Sequence, residues 1–246
     1  MRQFSSFLLF LPFLLLLIGS PAIAADPLAI EDSIEQYLTG PGPTVNPTVA
    51  AEPKPSDSAI AEVIAAKLMT NAPDGKFHAE SIMSRAEIAV ILVKAFNLET
   101  LKPTVTTPVK FNDVSSSHWA AKDIEIAVRT GTMEGYEKER FFPNQRVNRA
   151  EAFAIFANAY GVFQFPEATI NEILSPYPDA KDLPKWSRRA LATALNEGFV
   201  NLGADSQISP LKPMTRGDMA YALSKYLEKE RGRYPINSPL RKNSVP

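Results

Sequence analysis

FNDVSSSHWAAKDIEIAVRTGTMEGYEKERFFPNQRVNRAEAFAIFANAYGV, residues 111–162, is the stretch from which the rest of the chain can be read. Asn112 and Asp113 form an Asp-bearing turn, and the Ser run after it can cap a helix beginning near His118. Trp119, Ile124, Ala127 and Val128 then recur at roughly helical spacing. Gly131 and Gly135 close that helix and open a loop ending at Phe141, Phe142 and Pro143. Asn148-Arg149-Ala150-Glu151 starts a second helix, with Ala150, Phe153, Ala154 and Ala157 on one face. The unit is helix, loop, helix, and its faces predict that Phe153, Trp119 and Ile124 pack together.

The start of the second helix recurs. Ser84-Arg85-Ala86-Glu87 and Thr215-Arg216-Gly217-Asp218 repeat the order cap residue, Arg, small residue, acid. An acid three positions after a Ser, Thr or Asn cap is the capping-box spacing, which Glu suits better than Asp. The three Arg residues are 64 and 67 positions apart. Other landmarks keep register with them. Trp119 and Trp186 each precede their Arg by 30 positions, Gly131 and Gly198 by 18, and Pro143 and Pro210 by six. Phe77, Phe141 and Ile208 precede theirs by eight. Tyr177-Pro178-Asp179 answers Phe111-Asn112-Asp113 one residue out of register. The first copy is incomplete: an apolar helix over Ile60, Val63, Ile64, Ala66 and Leu68 precedes Arg85, without a Trp or an aromatic-x-Asp turn. Such punctuation at one period marks an internal repeat.

The series aromatic-x-Asp, His118-Trp119-Ala120, Gly135-Tyr136, Phe142-Pro143-Asn144 and Arg149-Ala150-Glu151 resembles the S-layer homology (SLH) repeat. The second copy is similar over about 50 residues, the third less closely, and the first mostly in its later half. The resemblance implies an all-α fold of three helix–loop–helix units around a pseudo-threefold axis. It also implies binding of a peptidoglycan-linked secondary wall polysaccharide, often one with pyruvate ketals on its sugars. No unit buries its apolar face alone, so the three should fold together.

The chain then divides as follows. Residues 1–24 read as a secretory signal: Arg2, an apolar run from Phe7 to Ile18, and a small-x-small site at Ala22-Ile23-Ala24. The run is shorter than the roughly 18–20 residues of a spanning helix, so no membrane span is expected after cleavage. Residues 25–56 read as a Pro-rich spacer, 57–101 as a partial first repeat, 109–163 as the second and 177–229 as the third. Pro-bearing joints separate the repeats, one of them over 164–176, and 230–246 read as a mobile tail. No Cys is present, which excludes disulfides, thiol nucleophiles and thiolate metal sites. The formal net charge of −1 gives no nucleic-acid footprint.

Each repeated Arg sits at the first helical position, where its charge opposes the helix dipole. Two readings stand. An anion bound at the helix start would be met by unpaired N–H groups and a guanidinium fork, and a pyruvate ketal offers such a carboxylate. Alternatively each Arg pairs with an acid of a neighbouring repeat. The first reading makes Arg85, Arg149 and Arg216 ligand-binding residues and predicts that Arg149→Ala leaves the fold intact. Trp119 and Trp186 are candidates for stacking on a sugar, although core packing also accounts for them. Gly135 lies in a loop that could approach a ligand. Asp113 and Asp179 read as turn residues. His78 and His118 stand far apart without a carboxylate at metal spacing, and no acidic pair suits glycan hydrolysis. The expectation is a non-enzyme without metal or cofactor, exported to the periplasm, wall or cell surface. Its partner is wall polysaccharide, with a scaffold for another envelope protein as the alternative.

The mature chain should begin at or near Ala25. Mass spectrometry of the envelope-associated product would show this, and an intact Met1 would refute it.

Overall fold

The structure is a computed structural model that describes residues 57–106, 109–136 and 139–233. The signal and spacer expected over 1–56, and most of the tail, lie outside these residues. Seven α-helices are found among them: α1 (Asp57–Ala65), α2 (Arg85–Ala95), α3 (Ala121–Arg129), α4 (Arg149–Tyr160), α5 (Glu167–Leu174), α6 (Arg188–Asn196) and α7 (Arg216–Arg233). The all-α reading holds, with no strand among the described residues beyond isolated bridges.

The chain closes into a ring at three short segments preceding α2, α4 and α7. The N–H of Val147 donates to the carbonyl of Met83 at 3.3 Å, that of Met214 to Val147 at 2.8 Å, and that of Met83 to Met214 at 2.9 Å. All three residues are buried. Their backbone donors sit where water cannot reach, so each N–H needs a carbonyl that only another repeat supplies. This is the pseudo-threefold axis.

Helix pairing follows the same logic, as expected of units that cannot bury their faces alone, but corrects the expectation that the two helices of one unit meet through Phe153, Trp119 and Ile124. α2 packs on α3, α4 on α6, and α7 on α1. The second helix of each repeat therefore lies against the first helix of the next. Phe153 and Ile124 enter the common core as expected, but Trp119 does not: it is 63% exposed. The reason is local. Ala121, not His118, begins α3, and the turn before it leaves the Trp119 ring outside, stacked on His118. The joint at 164–176 is not irregular either, since Pro166 stands before α5, a position where its missing N–H is not needed. α7 runs past Leu227 to Arg233, and its last turns reach the other repeats. Lys229 pairs with Glu197 at 3.1 Å, Arg231 with Glu62, and Arg233 donates to the Tyr160 hydroxyl at 2.6 Å. Beneath them Phe96, Phe156, Tyr160, Phe199 and Tyr226 form one aromatic cluster drawn from all three repeats.

The first helix of every repeat ends in a left-handed residue. Gly131 and Gly198 both have φ of 74°, and Lys67, at the same distance from its Arg, has φ of 58°. In each case the following N–H reaches back to the last turn: Leu68 to Val63, Thr132 to Ala127 and Phe199 to Ala194. That ending favours Gly, because a Cβ is strained there. Lys67→Gly should stabilise the protein by roughly 0.5–1 kcal/mol, allowing for the extra entropy glycine loses on folding. A thermal melt should rise by about 1–4 °C; a fall would show that the Lys67 side chain holds this turn.

Candidate functional site

The three repeated Arg residues lie at the seams between repeats, and each guanidinium reaches into the repeat that follows in the ring. Arg85 donates from Nε to the Phe141 carbonyl at 2.9 Å, from Nη2 to the Glu134 carbonyl at 2.6 Å, and pairs through Nη1 with Glu151 at 2.7 Å. Arg149 repeats the pattern in repeat 3. Its Nε donates to the Ile208 carbonyl at 2.8 Å and its Nη2 to the Asn201 carbonyl at 2.5 Å, while Nη1 meets Asp218 at 2.8 Å. Arg216 closes the ring on repeat 1, with Nε to the Phe77 carbonyl at 3.0 Å and Nη2 to the Thr70 carbonyl at 2.7 Å. A planar fork with donors along two edges meets all these acceptors at once; an ammonium could not.

The helix starts beside them are already occupied. The N–H groups of Arg85 and Ala86 donate to the carbonyls of Gln145 and Pro143. Those of Arg149 and Ala150 donate to Lys212 and Pro210, and those of Arg216 and Gly217 to Ser81 and Ala79. The third N–H is taken by the cap side chain: Ser84 for Glu87, Asn148 for Glu151, Thr215 for Asp218. The anion expected at unpaired helix-start N–H groups therefore has no donors left there. The second reading, pairing with a neighbouring acid, is what Arg85 and Arg149 do. They are only 3% and 4% exposed, and the expectation that Arg149→Ala would leave the fold intact is overturned.

The loop that receives each guanidinium is shaped for it. The residue after each acceptor carbonyl is left-handed: His78 (φ 52°), Phe142 (φ 55°) and Ser209 (φ 53°). Asp113 and Asp179 hold two of these loops from below. Asp113 accepts from the N–H groups of Phe141 (2.9 Å) and Phe142 (2.7 Å), and Asp179 from those of Ile208 (3.0 Å) and Ser209 (2.7 Å). Read as turn residues, they are long-range clamps; their shared distance from the Phe-x-Pro region was the available signal. The first repeat has no such Asp. There Asp74 accepts from Lys76 N–H at 3.0 Å and meets His78 Nε2 at 2.7 Å.

The seams differ in their walls. Between repeats 1 and 2 the Tyr136 ring stacks beneath Arg85, 4.6 Å from its guanidinium carbon, and its hydroxyl donates to Glu151 at 3.3 Å. Burial pushes the Tyr136 hydroxyl pKa well up, so it remains a donor. Burial also raises the Glu134 carboxyl. Between repeats 2 and 3 Asn201, in register with Glu134, bridges the pair with its side chain instead: its Oδ1 accepts from Arg149 at 3.0 Å and its Nδ2 donates to Asp218 at 2.6 Å. Of the other sequence-named residues, Trp119 is exposed in the turn before α3. Trp186 is half-buried against the core, its Nε1 buried without a hydrogen-bond partner. Gly135 has a packing reason. A Cβ there would stand 2.3 Å from Phe111 Cε1, so the Phe111 ring needs the glycine.

A closed ring of three helical repeats, with one Arg at each seam, defines the class: an all-helical repeat module. The chain belongs to the S-layer homology domain family, which matches residues 49–89, 110–153 and 176–220. That domain is a binding module, and it makes up most of this chain. The chain is 28% identical over 173 residues to the "Surface-layer 125 kDa protein" of Lysinibacillus sphaericus, covering 69% of this chain and 14% of that protein. It is 26% identical over 166 residues to the "Cellulosome-anchoring protein" of Acetivibrio thermocellus, covering 67% and 35%. An "Amylopullulanase" of Thermoanaerobacterium thermosulfurigenes shares 28% over 172 residues, covering 69% and 9%. The chain thus spans about a third or less of the length of these relatives. Their kind places it among exported cell-surface proteins. No helix of the described residues is long and apolar enough to cross a membrane.

Breaking a buried ion pair by removing one partner costs roughly 3–5 kcal/mol. Arg149→Ala, which strands Asp218 and two carbonyls, should lower stability by about that amount in chemical denaturation. Arg149→Lys should recover only a minor part. A midpoint within error of wild type for Arg149→Ala would show that the seam contributes nothing to the fold.

Proposed function

We propose that this chain is a non-catalytic anchoring module that binds peptidoglycan-linked secondary polysaccharide and so holds itself to the cell envelope. The observation that carries the reading is the surface of the ring. Trp119, 63% exposed and backed by the His118 ring at 5.7 Å, presents a flat apolar face that the core does not use. Such a face suits a pyranose ring, whose apolar side can lie flat on it. Two relatives carry anchoring or surface-layer names, and the shared part is the repeat module. The amylopullulanase overlaps this chain over only 9% of its own length, so its activity is not carried over.

The same account assigns unequal roles to the sequence-named residues. Trp119 is the stacking platform. Trp186, packed against the core, supports α6 and contributes at most its edge. Arg85, Arg149 and Gly135 shape the seams rather than touch the ligand.

Purified sacculi should retain the protein, and sacculi stripped of secondary polymer should not; equal retention on both would remove the polysaccharide from the account. Trp119→Ala should weaken retention roughly 2- to 10-fold, the range of one aromatic contact, with an unchanged melting temperature because the ring is outside the core. Retention equal to wild type would take Trp119 out of the site.

A further inference from the structure

Repeat 1 builds the same Arg-receiving loop as the other two repeats, but without the acid that holds it. The Phe77 carbonyl accepts from Arg216 Nε at 3.0 Å, as Phe141 does from Arg85 and Ile208 from Arg149. His78 is left-handed (φ 52°), as Phe142 and Ser209 are. In repeats 2 and 3 the two N–H groups at this corner both donate to one Asp carboxylate. The matching N–H groups of Phe77 and His78 meet no acceptor among the described residues. Asp74, four residues before His78, has its oxygens on the Lys76 N–H and on His78 Nε2.

The register of the repeats shows where an equivalent acid stands. The family match begins at residues 49, 110 and 176, and the residues three further on are Glu52, Asp113 and Asp179. The first helices start at Asp57, Ala121 and Arg188, each 28 positions before its repeated Arg. From acid to helix start is therefore five positions in repeat 1, against eight and nine in the others. We propose that Glu52 is the third clamp: its carboxylate accepts from the Phe77 and His78 N–H groups and ties residues 49–56 to the ring, beside the seam that Arg216 closes. The shorter connection can reach. α1 has nine residues, a length of about 13.5 Å. The chain beyond its end runs to the loop, since the Thr70 and Phe77 carbonyls both meet the Arg216 fork. Pro53 and Pro55 follow Glu52 and Lys54, and a residue before Pro favours an extended backbone. At about 3.1 Å per residue, five such residues cover about 15.5 Å, and Glu carries one methylene more than Asp. A stretch that reads by composition as spacer thus belongs to repeat 1. Release of Glu52 would free the loop that holds Arg216 and loosen that seam alone.

The test is amide hydrogen exchange in the full chain, followed by NMR at Phe77 and His78. Wild type should protect both amides. Glu52→Ala should speed their exchange roughly 10- to 100-fold, the range of a charge-assisted hydrogen bond, and Asp113→Ala should do the same to Phe141 and Phe142. Phe141 and Phe142 should keep their protection in Glu52→Ala, which reports that the rest of the ring is intact. Glu52→Asp, one methylene shorter across an already short connection, should restore only part of the protection. Asp74→Asn should leave it in place. Unprotected Phe77 and His78 amides in wild type would overturn the proposal. So would protection that survives Glu52→Ala, that is lost in Asp74→Asn instead, or that Glu52→Ala removes from all four amides alike.

Discussion

Three buried N–H groups, those of Met83, Val147 and Met214, each find their acceptor in a different repeat, and that requirement governs the rest of the architecture. A repeat taken alone would leave one donor and one acceptor without a partner in an apolar setting, at a cost of about 1–3 kcal/mol for each. It would also leave the second helix without the first helix of the next repeat to pack on. Around the backbone ring, each Arg fork secures the loop that precedes the following helix. The fork therefore sits at the helix start for the sake of its neighbour and in spite of its own helix dipole. The result is one cooperative body in which the ends of the described chain meet, α1 lying against α7.

Much of this was legible in the sequence. The period of the Arg-centred landmarks gave three units, and the cap residues Ser84, Asn148 and Thr215 fall where the spacing put them. What the sequence did not disclose was which helix meets which. A 3.6-residue pattern reports that a face is buried, without saying against what. The pairing of α3 with α2 instead of α4 depends on chain closure, which local patterns do not encode. Trp119 illustrates the same limit: its neighbours are apolar at helical spacing, but the helix starts after it, so the ring never joins that face. The Arg residues stand out in the sequence as charges in an unfavourable place, and their partners lie across the seam. Asp113 and Asp179 look like local turn residues in the sequence because their partners stand about 30 residues away.

Divergence among the copies carries the functional content. Repeat 1 lacks the clamping Asp, uses Asp74 and His78 in its place, and bears Lys67 where the others have Gly. Its Glu87 makes a capping box and no contact with Arg216, whereas Asp218 caps its own helix and pairs with Arg149 as well. A structure with three equally satisfied seams would be a rigid plug. Among the described residues Arg216 has no carboxylate within ion-pair distance, and Trp119 lies outside the core.

The central claim is that the ring is a single cooperative unit closed by hydrogen bonds between repeats, and native-state hydrogen exchange of the Met83, Val147 and Met214 amides tests it most directly. The account predicts that all three exchange only through global unfolding, with one common free energy that falls together as denaturant is added. Exchange of the Met83 or Met214 amide through a low-energy local opening, with Val147 still protected, would contradict it by showing that repeat 1 can leave the ring while the other two remain folded.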